Sequence, residues 1–481
     1  MEIESRTQVN EGGWWSCLKE LPQKSKSKVM SFEEGIKKIG KDDPRRIIHS
    51  LKVGLALSLV SLIYYWRPLY DGFGVAGMWA VLTVVVVFEF TVGATICRCI
   101  NRVCATVVAG ALGFGSQHLA ILFGKKGEPV VLGTLVFILA AGSTFSRFFP
   151  RIKARYDYGM VIFILTFSMV AVSGYRIDKL FELAHQRFST IIIGVASCMM
   201  ISLGAYPVWA GEDLHKLVAS NIQKLANYLE GFEGEYFQCS GDKAKPEKSK
   251  LEGYKTVLNS KAPEESLANL ARWEPGHGRF RFRHPWKQYL KIGALSRKCA
   301  YKMEALSGYL SSEIQVSLEF NRKVRESCKK MTSESSIALR ALSLSIKTMK
   351  EPSEVKSHLE NSKTAIEDLE MAVQTASLKD IDVLALVPLA TVASILVEIT
   401  KTVEEIYEAV SELSNLAHFD KVKPTVSPEK PHLLHRGVIN AVVDGGSDED
   451  HIEIITIQDS NTAGKEIAAP ESNPKCASCK E

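Results

Sequence analysis

Between positions 47 and 206 the chain sets six apolar stretches almost end to end, and this arrangement restricts its fold more than any other feature. The stretches cover residues 47–66, 73–90, 103–123, 130–149, 158–174 and 188–206. Each is close to the length that crosses a hydrocarbon core. In lipid every backbone N–H and C=O must find a partner inside the protein, so a continuous apolar run forms a helix. This holds even for the β-branched run Val84 to Val87, which would suit a strand in water. The expectation is an all-α integral membrane protein with a six-helix transmembrane domain followed by a cytosolic helical domain.

A 46% apolar content over 481 residues averages unlike parts, and the net charge of +5 says less than its distribution. Residues 1–44 read as a basic cytosolic segment, 45–207 as the transmembrane domain, 208–420 as a cytosolic helical domain, and 421–481 as a largely disordered tail. No cleavable signal peptide is visible, so the first stretch is expected to act as a retained signal anchor. The ten cysteines show no regular spacing, and reduced thiols are expected. Lys37, Lys38, Lys41, Arg45 and Arg46 precede the first stretch. Arg98 and Arg102 follow the second, and Arg147, Arg151, Lys153 and Arg155 follow the fourth. The alternate connections are poorer in bases, which puts both termini in the cytosol.

Basic residues are also set into the apolar part, where ionisable groups are costly and mark pathways. Arg45, His49 and Lys52 share one helical face, continued by Ala56 and Leu59. Arg98 and Arg102 share a face if the third helix begins before its apolar part, and Arg187 opens the sixth helix. Lys52, Arg98, Arg102 and Arg187 are therefore the candidate anion-binding residues of a pore. Snorkelling to headgroups explains such bases equally well at helix ends, and is the preferred reading for Arg151, Lys153 and Arg155. Glu89 is expected to pair with one of the bases rather than titrate. Gly110, Gly113 and Gly115, with Gly194, Ala196 and Ser197, are expected to let helices approach closely; glycines lining a narrow pore are the alternative.

Several motifs resemble the plant aluminium-activated malate transporter family of anion channels. They are Asp43-Pro44-Arg45-Arg46 leading into HSLKVGLAL, the stretch MWAVLTVVVVFEFTVGAT, Tyr156-Asp157-Tyr158-Gly159, Pro207-Val208-Trp209-Ala210-Gly211-Glu212-Asp213, and Trp273-Glu274-Pro275. The likeness covers residues 40 to 290 and is looser beyond. It implies a homodimer in membrane lipid that passively conducts malate and other anions through a pore lined by bases, with no cofactor. By position, Lys52 and Arg187 match basic residues of the family pattern, and Arg102 matches the arginine of its Gly-Ala-Thr stretch. Arg98 stands where relatives carry Lys. A γ-aminobutyrate site lies beside an aromatic residue before the Pro-x-Trp-Ala-Gly stretch in some relatives; Ala205-Tyr206 departs from that arrangement. Activation by aluminium is not expected, because the outer acids Asp71, Glu128, Asp178 and Glu182 form no compact cluster.

Beyond Leu214, apolar residues recur at helical spacing. The run 383–397, with Pro388 inside it, is short for a span and reads as a core helix. Arg279-Phe280-Arg281-Phe282-Arg283-His284 interleaves bases with aromatics. One such stretch is weak evidence for nucleic acid, and none is expected as a partner. Packing of its phenylalanines on the helical domain is preferred, with headgroup contact second. Cys476 and Cys479, and His432 and His435, lack further ligands at metal-site spacing, so no metal is assigned. No nucleophile, acid–base or nucleotide-binding constellation supports an enzyme. Two alternatives to a channel stand: a proton-coupled organic-acid transporter using Glu89 and His118, and a membrane anchor for a helical scaffold. The membrane is expected to be the plasma or vacuolar membrane.

Overall fold

The computed structural model describes residues 31, 34–35, 37–38, 40–66, 77–174, 180–237, 248–309, 318–375 and 383–420. Cys476, Cys479, His432, His435, Asp71 and Asp178 lie outside these residues, as does the side chain of Glu182. Among the described residues there are only helices and two isolated β-bridges, His277 with Phe280 and Lys350 with Asp420.

Six helices occupy the apolar part: α1 (Arg45–Tyr65), α2 (Met78–Val87), α3 (Val92–Ile121), α4 (Gly124–Ser146), α5 (Pro150–Gly174) and α6 (Leu180–Gly204). Four of them, α3 to α6, contain stretches long and apolar enough to cross a membrane. The 21 residues of α1 rise about 31 Å but carry Arg45, Arg46 and Lys52, and the ten described residues of α2 are apolar but short. Helix α3 begins at Val92, well before the expected position 103. The reason lies in Thr91, whose extended backbone and Oγ1, accepting the Ala94 N–H at 3.3 Å, cap a helix start there. Its 30 residues rise about 45 Å, about 15 Å more than a hydrocarbon core needs.

The six helices pack as two groups. Helices α1, α2 and α6 share one apolar cluster built on Ala56, Val60, Val84 and Cys198, and α3, α4 and α5 share another around Ala109, Phe167 and Ala171. The buried stripe of α1 runs Lys52, Ala56 and Val60; Leu59, expected on it, is exposed. The groups meet chiefly where α3 packs on α6. Close approaches occur at Gly113, where a Cβ would come within 2.5 Å of Val170, and at Gly194, where it would come within 2.8 Å of the Ala80 carbonyl. Gly110 and Gly115 have open space instead. Large apolar side chains of α4, including Val130, Phe137 and Ile138, face outward, as lipid contact requires.

The helical half comprises α7 (Ala210–Tyr236), α8 (Lys248–Leu258), α9 (Lys261–Ala271), α10 (Trp286–Ser307), α11 (Leu318–Thr348), α12 (Val355–Thr375) and α13 (Val383–Ala417). One continuous core runs through all seven. Small hydroxyl residues set the packing of α11 on α7, with Ser336 and Ser343 donating to the Ala226 and Ala219 carbonyls at 3.0 and 2.7 Å. Helix α13 buries Leu389, Val392, Leu396, Ile399 and Val403 in this core and packs on α10 and α11. From Leu389 onward its apolar run is thus core, as its length suggested.

Candidate anion site and the junction beneath it

A cavity of about 270 Å³ lies between α2, α3, α5 and α6. Arg102, Thr106, Gly110 and Phe114 line it at four-residue spacing, which puts them on one face of α3. Arg187 of α6 lines it from across the seam. The Arg102 side chain is only 3% exposed, and the Nε atoms of both arginines are buried without a hydrogen-bond partner. Among the described residues no carboxylate pairs with either. Arg187 is held by neutral groups: its guanidinium lies 5.0 Å from the Trp79 ring centroid and 3.7 Å from the Met169 Sδ. Such soft partners fix a cation in place and leave its charge available to an incoming anion.

The other two candidate bases are engaged. Lys52 is buried and donates through Nζ to the Tyr206 carbonyl at 2.7 Å, stapling α1 to the end of α6. Tyr206 has a left-handed backbone (φ 43°), the conformation in which its carbonyl meets that ammonium. Arg98 makes an ion pair with Glu89, donates to the Val86 carbonyl at 2.8 Å and lies over the Tyr158 ring. The arginines at 98 and 102 do share a helix, but their charges meet different partners. Of the candidate proton carriers, Glu89 is in this pair and His118 is exposed on α3.

Directly beneath the membrane helices, four of the sequence motifs come together. Helix α7 starts from an extended Trp209 with no side-chain cap of its own. Glu274, some sixty residues later, supplies the cap: its carboxylate accepts the N–H groups of Ala210 at 2.6 Å and Gly211 at 3.0 Å, and the Gly93 amide at the start of α3 is close enough to help stabilise its charge. One buried carboxylate therefore caps α7 and also lies at the N-terminus of α3, where the helix dipoles favour an anion. The Val92 N–H donates to the Val208 carbonyl at 2.9 Å. A Cβ at Gly93 would strike the Leu270 carbonyl, and one at Gly211 would strike Trp286. Trp209 stacks on His277 at 3.7 Å, and Arg45 at the start of α1 reaches Asp213 in the first turn of α7 at 2.8 Å. Burial pushes the Glu274 carboxyl up to about 7, against the backbone donors that pull it down.

Nearby, burial lowers His215 and His284 to about 4 each, so both are neutral at pH 7. They flank the Tyr289 hydroxyl at 2.9 and 3.3 Å. Trp79, Met169, Asp213 and Tyr289 carry no local signal of these roles, since each is defined by a partner far away in the chain. Among the described residues no group of acids, histidines and cysteines could hold a metal ion.

A family model described as aluminium activated malate transporter matches residues 37–379. The chain is 48% identical to aluminum-activated malate transporter 2 of Arabidopsis thaliana over 434 residues, which cover 89% of this chain and 85% of the relative. It is 47% identical to aluminum-activated malate transporter 1 of the same plant over 434 residues, covering 89% and 87%. Against aluminum-activated malate transporter 1 of Triticum aestivum the identity is 45% over 445 residues, covering 89% and 93%.

Proposed function

The chain belongs to the aluminium-activated malate transporter family, and on that premise we propose that it is a malate-permeable channel passing organic and inorganic anions passively across a plant membrane. The observation that carries this reading is the pair Arg102 and Arg187, facing one cavity with no carboxylate to neutralise either among the described residues. An anion leaving water for a bilayer loses hydration worth many kcal/mol. A fixed guanidinium at about 4 Å returns about 4 kcal/mol at an effective dielectric constant of about 20. Neutral supports such as Trp79 and Met169 leave that return to the ion, and few direct contacts allow the ion to leave again.

On this reading Arg102 and Arg187 attract the anion, while Lys52 and Arg98 hold α1, α2, α3 and α6 in place. Residues 45–207 conduct, residues 208–420 lie in the cytosol with both termini, and the unit is a homodimer in the plasma or vacuolar membrane. Aluminium is not required, and the activity is transport rather than catalysis. Passive flow is favoured over proton coupling because Glu89 is held by Arg98 and His118 is exposed, which leaves neither as a buried carrier.

Voltage clamp of cells expressing the chain, with malate and chloride varied separately on each side, tests the proposal. The reversal potential should track the malate gradient with no proton gradient present. Arg102→Gln and Arg187→Gln should each lower malate conductance about tenfold at unchanged surface abundance, and Arg98→Gln should reduce abundance instead. Flux that collapses with the proton gradient at fixed voltage would establish coupled transport.

A further inference from the structure

The turn between Glu274 and α10 has a geometry that packing of the helical half does not explain. Gly278, at φ 51°, closes a tight bridge in which His277 and Phe280 exchange backbone hydrogen bonds, both 2.9 Å. Phe280 turns inward against His215, His284 and Trp286. In an extended segment Phe282 would follow it to the same side. It does the opposite and stands 68% exposed, which corrects the expectation that both phenylalanines pack on the domain. Arg283 adopts a left-handed backbone (φ 62°), uncommon for a non-glycine residue, and its guanidinium lies 5.5 Å from the Phe282 ring centroid. Strained backbone of this kind is kept where the conformation itself is used.

Arg272, Arg281, Arg283 and Lys287 line one cavity of about 520 Å³ beside this turn. No ion pair engages any of the four among the described residues. The cavity's acid, Glu274, is buried and committed to backbone N–H groups. The neighbouring Gln288 amide donates to the Ala409 carbonyl and to Glu412. The helix that borders the cavity reaches the membrane part: α9, which ends at Ala271, packs directly on α3 and α5, and Arg272 is close enough to Arg155, near the start of α5, to feel its charge. Four unneutralised bases call for clustered phosphate charge, and an exposed ring among them calls for an apolar boundary.

We propose that this cavity binds a polyphosphorylated headgroup of the phosphoinositide type, presented by the adjoining leaflet. Arg272, Arg281, Arg283 and Lys287 take the phosphates, and Phe282 enters the acyl boundary. Occupancy would be felt at the junction, because Trp286 lines the cavity and also packs against Gly211, whose N–H is held by Glu274. The site stands on its own geometry and does not depend on the transport reading.

The test uses the full chain purified in detergent, with dioctanoyl phosphatidylinositol 4,5-bisphosphate, dioctanoyl phosphatidylserine and soluble inositol 1,4,5-trisphosphate as probes in a thermophoresis titration. The bisphosphate lipid should bind at least tenfold tighter than phosphatidylserine. Arg281→Gln/Arg283→Gln/Lys287→Gln should weaken it tenfold or more while the melting temperature without lipid stays unchanged. Phe282→Ser should weaken the lipid but not the trisphosphate. Unchanged lipid binding in the folded triple variant overturns the site. Equal affinity for lipid and trisphosphate, with Phe282→Ser silent, overturns the membrane source in favour of a soluble polyphosphate.

Discussion

Glu274 is a carboxylate that accepts the first backbone N–H groups of α7 and lies against Gly93 at the start of α3, one helix in each half of the chain. An amide at this position would turn an NH2 toward at least one of those N–H groups, so Glu274→Gln should cost about 1–3 kcal/mol. A thermal melt of the detergent-solubilised chain reads this loss, and a melt equal to wild type would deny Glu274 the capping role. The pH dependence separates it from other effects. With its proton held up to about 7, Glu274 contributes stability that is complete below its ordinary value and lost as pH rises through 7. His215 and His284, lowered to about 4, act with the opposite sign: their contribution is complete above about 6.5 and lost as pH falls through 4. Each histidine is worth on the order of 3 kcal/mol across that window. Wild-type stability should therefore rise from pH 4 to 6.5, and Glu274→Gln should steepen the rise between about 4.5 and 7. A flat profile in wild type would mean that the histidines do not become buried as neutral groups. In the sequence, Glu274 could be picked out only as part of a short motif, because its partners lie sixty and more positions upstream.

At the level of single helices, length and apolar content were legible and ends were less so. The apolar stretches at 130–149, 158–174 and 188–206 each fall on a helix, but α3 starts at Val92 because Thr91 caps it, a polar detail hidden beside a polar connection. Helix α7 shows the converse, since Trp209 gives no sign of a cap and the cap comes from another element. Small residues also divide by neighbour rather than by type. Gly194 meets the Ala80 carbonyl and Thr83, whereas Gly115 meets open space. Gly194→Val should force α6 from α2 and destabilise by about 1–3 kcal/mol, seen as lost monodispersity in size-exclusion chromatography. Gly115→Val should leave the profile unchanged. Equal behaviour of the two variants would remove helix contact as the role of Gly194.

Across the whole molecule, the helical half is tied to the membrane half by Arg45 with Asp213, by Val92 with Val208, and by Glu274, which caps α7 and lies against Gly93 of α3. The Arg45 pair is partly exposed, so its coupling should be modest, about 0.5–1 kcal/mol. Asp213→Arg alone should lower the melting temperature, and Arg45→Asp/Asp213→Arg should recover part of the loss in a double-mutant cycle. A double variant no better than the sum of its parts would show that the two residues do not meet in the folded chain. That this chain enters a membrane as helices and continues in further helices beyond them is legible in the sequence, because burial in lipid and helical periodicity are properties of local composition. The sequence also singled out Lys52, Arg98, Arg102 and Arg187. That Lys52 and Arg98 meet Tyr206 and Glu89 while Arg102 and Arg187 face a cavity emerges only once the chain is folded. Neutralising a charge or capping a helix is a contact between two particular groups. Most of the groups that decide these sites are far apart along the chain, and folding alone brings them within reach.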